Sequence, residues 1–280
     1  MNAIHINWTR PYFARGASEY EAEDFELLTT ILSALKWREN NGSIKMVTDR
    51  AGADYYRSNG LDCLWDGGID ESLEDICQNE GMFWAAGKLY ALALQKTPVA
   101  VIDTDFIVWG EILFDKLPAL AVIHDEELYA DVYPEPGHFQ MEKDYRFDPD
   151  WNWHIKAYNT AFYVIKDEEL RRYYTSEAIR FMDNSKPCGD SLTYMVFAEQ
   201  RLLAMCAEKL KKETLVFSTL EKLFRNGDGF FTHTWGMKQQ MRDNTELREA
   251  FCRKCIDRIS RDFPYMRQIM SNIEILKKYF

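Results

Sequence analysis

Two carboxylates one residue apart close an apolar run, Val99-Ala100-Val101-Ile102-Asp103-Thr104-Asp105. At a strand end the chain leaves the pleat, so Asp103 and Asp105 need not point to opposite faces and can together hold one divalent cation that also takes phosphate oxygens. Taken alone, an Asp-x-Asp is more often a pair of acidic turn residues than a metal site. Three further residues bear on the choice. Lys88 is the only charge inside the apolar stretch 82–94, and an ammonium there needs either an anion or a route for its stem to water. Glu199 continues the stripe of Leu192, Met195, Val196, Leu202, Leu203 and Cys206, so its carboxylate is held in an internal ion pair or faces a cavity. His233 lies among aromatics in Phe230-Phe231-Thr232-His233-Thr234-Trp235-Gly236-Met237-Lys238. An imidazole there is a hydrogen-bonded core residue or a transition-metal ligand, and Lys238 suits a phosphate.

The segments that must position these groups alternate between strand and helix. Residues 3–8 form a short alternating strand, and Phe25, Leu28, Ile31, Leu32 and Leu35 recur at helical spacing until Asn41-Gly42. A second strand spans 44–48, a third is expected at 61–65, and 82–94 forms a helix packed on both sides. Pro98 breaks that pattern and opens a strand at 99–102 that is apolar on both faces. This order is that of a mostly parallel sheet flanked by helices, in which ligands sit beyond the C-terminal strand ends. From 124 to 154 the chain is acidic, turn-rich and aromatic, a long loop region whose rings from Tyr129 to Trp153 either pack over the sheet or form an acceptor wall. A strand at 161–165, a helix at 168–182, a helix capped by Asp190 or Ser191 and running to about 212, and two terminal helices complete the reading. It divides the chain into a main domain, 1–240, and a C-terminal helical extension, 241–280.

Composition narrows the function classes. The 280 residues are 46% hydrophobic and 28% charged, enough to bury a core without disulfides or a structural metal. Their 34 Lys and Arg against 45 Asp and Glu leave a net charge of -11, which opposes non-specific nucleic-acid binding. The sequence contains no leader-like N-terminus and no run approaching the roughly eighteen apolar residues of a membrane span. Six cysteines fit a reducing compartment, so a cytoplasmic location is expected, and Cys252-x-x-Cys255 is expected to be a pair of buried thiols.

Taken together, Asp103-x-Asp105 and His233-x-x-Gly236-x-Lys238 resemble the nucleotide-sugar glycosyltransferases of the GT-A fold, particularly the family-8 and related retaining branches, over roughly residues 3–238. The resemblance implies a GT-A-like sheet and a hexosyltransferase-type activity. It also implies Mn2+ (or Mg2+) held by Asp103, Asp105 and His233. The donor would be a nucleoside-diphosphate sugar, with UDP favoured, and the acceptor a carbohydrate or other hydroxyl compound. Lys238 would contact the diphosphate, Lys88 is similar to the basic residue beside the donor, and Thr48-Asp49 look like the nucleotide-contacting end of the second strand. Thr104 and Gly236 fall in donor-binding motifs by the same resemblance. Asn159-Thr160-Ala161 is similar to the Asn-Ala-Gly strand near the donor sugar. Glu199-Gln200-Arg201 resembles the Asp-Gln-Asp segment that flanks the reacting carbon. The rival readings are a phosphatase or phosphotransferase with Asp103 as nucleophile, and an inactive relative that binds a nucleotide or glycan.

Overall fold

The computed structural model describes residues 1–224 and 229–280. Strand β1 (Asn2–Asn7) leads through the short helix α1 (Arg10–Phe13) to the long α2 (Asp24–Asn40) and then to β2 (Ile44–Thr48). Helix α3 (Arg50–Ser58) precedes the two-residue β3 (Ile69–Asp70), and α4 (Ala86–Ala93) precedes β4 (Val99–Ile102). Five strands follow: β5 (Phe106–Val108), β6 (Leu120–Val122), β7 (Asp125–Glu126), β8 (Ala157–Tyr158) and β9 (Phe162–Ile165). After α5 (Glu168–Asp183), one continuous helix is built from α6 (Ser191–Val196), a π-helical segment (Phe197–Arg201) and α7 (Leu202–Lys209). Strand β10 (Thr214–Val216), α8 (Leu220–Phe224), β11 (Phe231–His233), α9 (Lys238–Asp243), α10 (Thr245–Asp262) and α11 (Met266–Asn272) complete the fold.

The main sheet has seven strands in the order β10-β6-β9-β4-β1-β2-β3. Strand β1 runs parallel to β2 and β4, β2 to β3 and β6 to β10, while β9 is antiparallel to β4 and β6. The architecture is therefore α/β, a mostly parallel sheet flanked by helices. Side-chain alternation divides the core. Ala3, Met46, Ala100, Ile102, Ala121, Phe162 and Val164 face α2, whereas Ile4, Val47, Val99, Val101, Leu120, Val122, Tyr163 and Ile165 face α4, α5 and α7. Residue Gly87 allows α4 to lie close on the sheet, because a Cβ there would sit 2.5 Å from Trp8 Cβ. That close approach seats the neighbouring Lys88 over the strand ends.

Three local expectations change. Leu61, Leu64 and Trp65 are buried on the α2 side from a 3-10 turn, not a strand, since their spacing of three and four matches a helical turn; the third strand forms instead at β3. Helix α4 begins at Ala86 rather than 82, because the Asn79 side chain accepts from Met82 N and holds 79–85 in turns. The aromatic stretch does not present an acceptor wall. Phe139, Tyr145, Phe147, Trp151 and Trp153 pack with Phe181, Tyr194 and Phe197 in one ring cluster, Tyr133 is also buried, and only Tyr129, at 65%, is largely exposed. Burial of these large rings against one another outweighs their value as a solvent-facing surface.

Helix α9, which runs across residue 240, precedes the two expected terminal helices. Met241, Cys252, Ile256, Ile259, Met266 and Met270 enter the same core as α2, and Cys252 and Cys255 are buried free thiols. One polar knot fastens this part to α2. Asp24, fully buried, accepts from Arg248 Nε at 2.6 Å and Tyr279 OH at 2.7 Å and lies 3.0 Å from Lys278 Nζ. Burial alone would raise the Asp24 pKa, but Tyr279, Arg248 and Lys278 outweigh it and hold it below the usual value. A depressed folded pKa means stability that is present above the unfolded pKa and lost as pH falls through the folded one. Asp24→Asn is expected to lower unfolding stability by about 2–3 kcal/mol near pH 7, read from urea midpoints, and to lose that deficit in acid.

Candidate active site

The turn after β4 brings the two carboxylates to one side. Asp103 N donates to Ala161 O at 2.8 Å, Phe106 N returns to Asp103 O at 2.9 Å, and the chain then pairs as β5 with β11 in antiparallel register, His233 opposite Phe106. Thr234 N donates to Asp105 O at 3.1 Å and locks this ribbon beside the turn. Local hydrogen bonding thus places His233 next to Asp105 although 128 residues separate them in sequence. One ligand atom from each of Asp103, Asp105 and His233 lies within 4.8 Å of the others. His233 Nε2 is 3.8 Å from Asp105 Oδ1.

Two lysines neutralise this acidic cluster. Lys238 Nζ lies 3.0 Å from Asp105 Oδ2 and 3.5 Å from Glu26 Oε1. Lys88 Nζ bridges Asp103 Oδ1 at 2.6 Å and Glu199 Oε1 at 2.5 Å, and donates to Thr160 O at 3.2 Å. The charge isolated in α4 is therefore paired, and the charge in the helix stripe is its partner. Glu199, 3% exposed, also accepts from Thr160 Oγ1 at 2.7 Å, while its carbonyl accepts from Tyr174 OH. The π-helical segment shifts the residues after Val196 relative to an α-helical path, so that Glu199 meets Lys88 and Arg201 turns to the carbonyls of Ile155 and Trp153.

Burial and charge set the protonation states. Burial would raise the Asp105 carboxyl, but Lys238 and His233 overcome it and hold the group below the usual carboxylate value. Asp103 is pushed up to about 7 by burial, with Lys88 opposing and Asp105 and Glu199 reinforcing. Lys88 and Lys238 lie above the ordinary lysine value because the facing carboxylates outweigh burial. Burial brings His233 down to about 4 against the pull of Asp105, so near pH 7 its ring is neutral and offers a lone pair. Two oxygen donors suit Mg2+, Ca2+ and Mn2+, whereas imidazole suits transition metals. Mn2+ meets both preferences, and Mg2+ fits the carboxylates.

The remaining expected site residues are dispersed. Thr104 stands between the two aspartates in the turn, partly exposed. Asn159 donates to Glu126 at 3.1 Å and accepts from Ala161 N; Thr160, beside it, makes the contacts to Lys88 and Glu199. Gln200 accepts from Tyr133 OH at 2.5 Å. Thr48 Oγ1 donates to Asn7 O, and Asp49 spends its oxygens on Thr9 N, Thr9 Oγ1 and Gly52 N, capping α3. Gly236 lies in a 3-10 turn against Phe224. Thr160 and Glu26 are the members that sequence reasoning missed. A threonine before a buried strand and a glutamate in the first turn of a helix are both ordinary, so neither carried a signal. His5, by contrast, is bound internally by Ser33 and Trp65 and brought down to about 3, chiefly by burial.

A model of a family of unknown function (DUF6734) matches residues 1–272. No curated protein matches the chain. Among solved structures it is similar to mouse xyloside xylosyltransferase 1, at 7% identity and TM-score 0.38, over 77% of this chain and 85% of that one. It is similar to the bifunctional glycosyltransferase WbbM at 10% identity and TM-score 0.43, over 77% of this chain and 38% of WbbM. With the PaToxG glycosyltransferase it shares 12% identity and TM-score 0.39, over 91% of this chain and 77% of that one. Among the described residues no helix is long and apolar enough to cross a membrane.

Proposed function

The chain belongs to this family of unknown function, and we propose that it is a GT-A-type, metal-dependent glycosyltransferase. In this reading it moves a hexose from a nucleoside diphosphate, UDP foremost, to a carbohydrate or other hydroxyl acceptor in the cytoplasm. One observation carries the reading: Asp103, Asp105 and His233 converge beside the C-terminal end of β4, each carboxylate paired with its own lysine. Those three residues would hold Mn2+ or Mg2+, which when bound offsets the charge of a diphosphate leaving group. Lys238 and Lys88 add fixed positive charge on either side of the same position and need no proton transfer to do so.

Glu199 is held by Lys88 and Thr160, so its carboxylate is oriented to stabilise positive charge at the reacting sugar carbon. Gln200 and Asn159 flank it and orient the sugar or the acceptor. Thr104 and Gly236 contribute backbone close to the donor. Thr48 and Asp49 serve the nucleotide by fixing the turn after β1, since their side chains are bonded to Asn7 and Thr9. In this assignment residues 1–240 carry the chemistry and 241–280 brace α2. No observation favours the phosphatase reading, in which Lys238 and His233 would have no task.

Calorimetric titration with UDP, GDP and ADP, each with Mn2+ and with chelator, tests the proposal. UDP is expected to bind in the presence of Mn2+ and to lose that binding in chelator. Absence of nucleotide binding under both conditions overturns it.

A further inference from the structure

Each carboxylate of the proposed metal site shares its lysine with a second carboxylate. Lys88 Nζ stands between Asp103 Oδ1 and Glu199 Oε1, at 2.6 Å and 2.5 Å. Lys238 Nζ stands between Asp105 Oδ2 and Glu26 Oε1, at 3.0 Å and 3.5 Å. The proposed function gives Asp103, Asp105, Glu199 and both lysines a task and leaves Glu26 without one. Yet Glu26 is fixed where it is. It lies in the first turn of α2, where a carboxylate suits the positive end of the helix dipole. Lys238 and Arg242, four residues apart on α9, both reach it, Arg242 Nη2 donating to Glu26 Oε1 at 3.1 Å. Glu26 and Lys238 are both partly buried, so solvent screens the pair only in part.

A divalent cation on Asp105 competes with Lys238 for the same negative charge. Lys238 Nζ faces Oδ2 of Asp105 and His233 Nε2 lies 3.8 Å from Oδ1, so a cation between Asp105 and His233 would share the carboxylate with the ammonium. Like charges that close repel. Burial would lower the Lys238 pKa, but Asp105 and Glu26 outweigh it, so the side chain keeps its charge. A lysine with no other counter-charge would therefore hold Asp105 against the cation. Glu26 supplies that counter-charge. As a cation draws on Asp105, Lys238 stays paired through Glu26 and avoids the cost of a desolvated, unpaired ammonium.

We infer that Glu26 is a positioning residue of the metal site, which holds Lys238 so that Asp105 can serve the cation. The inference rests on the metal-dependent reading above and adds a residue to it. Calorimetric titration of the full chain with Mn2+ alone tests it in wild type, Glu26→Gln, Lys238→Met and the double variant. Glu26→Gln should weaken Mn2+ binding about fivefold or more, since Lys238 then has Asp105 as its only carboxylate within ion-pair distance. Lys238→Met should tighten Mn2+ binding, because the competing ammonium is gone. Added to Lys238→Met, Glu26→Gln should change the affinity by no more than about twofold, as no lysine is left to hold. Equal weakening by Glu26→Gln in both backgrounds would make Glu26 a bare negative charge and overturns the inference, as does unchanged affinity in the single variant. Weaker Mn2+ binding in Lys238→Met overturns it too. Circular-dichroism melts show which variants are folded, and the sign of the Lys238→Met effect tests the competition with Glu26 intact. In each overturning outcome Mn2+ still binds wild type and the metal assignment stands. Absence of Mn2+ binding to wild type overturns both.

Discussion

Asp105→Asn is expected to abolish Mn2+-dependent UDP binding and to cut transfer by about 10³-fold or more, while the protein stays folded. The amide has nearly the shape of the carboxylate, and the backbone bond from Thr234 N to Asp105 O survives the change. What disappears is the negative charge between His233 and Lys238, two groups that would then face each other across a neutral side chain. Circular-dichroism melts compare the folds, and calorimetry with UDP and Mn2+ reads the loss. Undiminished donor affinity would sink the metal assignment. Wild-type metal affinity carries a pH signature as well. Asp103 must release its proton to bind a cation, and that proton is held up to about pH 7, so affinity should rise with pH toward 7 and level off above it. His233, already neutral above about pH 4, adds no dependence in that range.

Lys88→Met should be the most destabilising single change in the site. The methionine fills similar space but leaves Glu199, whose side chain is 4% exposed, with the Thr160 hydroxyl as its remaining side-chain partner. Breaking one member out of a buried ion pair costs about 3–5 kcal/mol, because the stranded charge keeps its desolvation penalty. Urea unfolding of Lys88→Met is expected to show that loss. The double variant with Glu199→Gln should recover much of it by removing the stranded charge. Activity should not recover, since both charges serve the reaction in the proposed assignment. Additive stability losses in this cycle would mean that the two residues do not act as a pair. Because carboxylates lift the Lys88 pKa above the ordinary lysine value, its stabilising charge is fully present below that ordinary value and is lost only as pH rises through the lifted one. Titration of Lys88 itself should therefore add no pH dependence to wild-type stability between pH 5 and 9, a range in which its partner Asp103, raised to about 7, is the group that titrates.

Much of the candidate site was legible because burial makes a charge conspicuous without any knowledge of its partner. Lys88 stood alone in an apolar stretch and Glu199 interrupted an apolar stripe, so each was marked as needing a counter-charge. That the two are each other's counter-charge depends on the packing of α4 against the helix that carries the π segment. No pattern in either segment specifies that contact. Asp103 and Asp105 were readable from the apolar run before them, and the tight turn at 103–106 is what points them together. The aromatic stretch went the other way. Tyr145, Trp151 and Phe139 have the same composition whether they line a groove or fill a core, and only Phe181, Tyr194 and Phe197, from elsewhere in the chain, decide that they are buried.

By itself, the sequence determined the strand and helix periodicities, the apolar identity of β4, and the list of charges too costly to bury alone. These are local properties, set by spacing along the chain and by the solvation of each side chain. Tertiary structure decided which charges meet. The β5–β11 ribbon carries His233 and Lys238 to Asp105, the close seat of α4 on Trp8 carries Lys88 to Asp103 and Glu199, and the C-terminal helices reach Asp24. Such meetings depend on crossovers between distant segments. A charge marked by its sequence neighbours acquires its partner only when the sheet has formed.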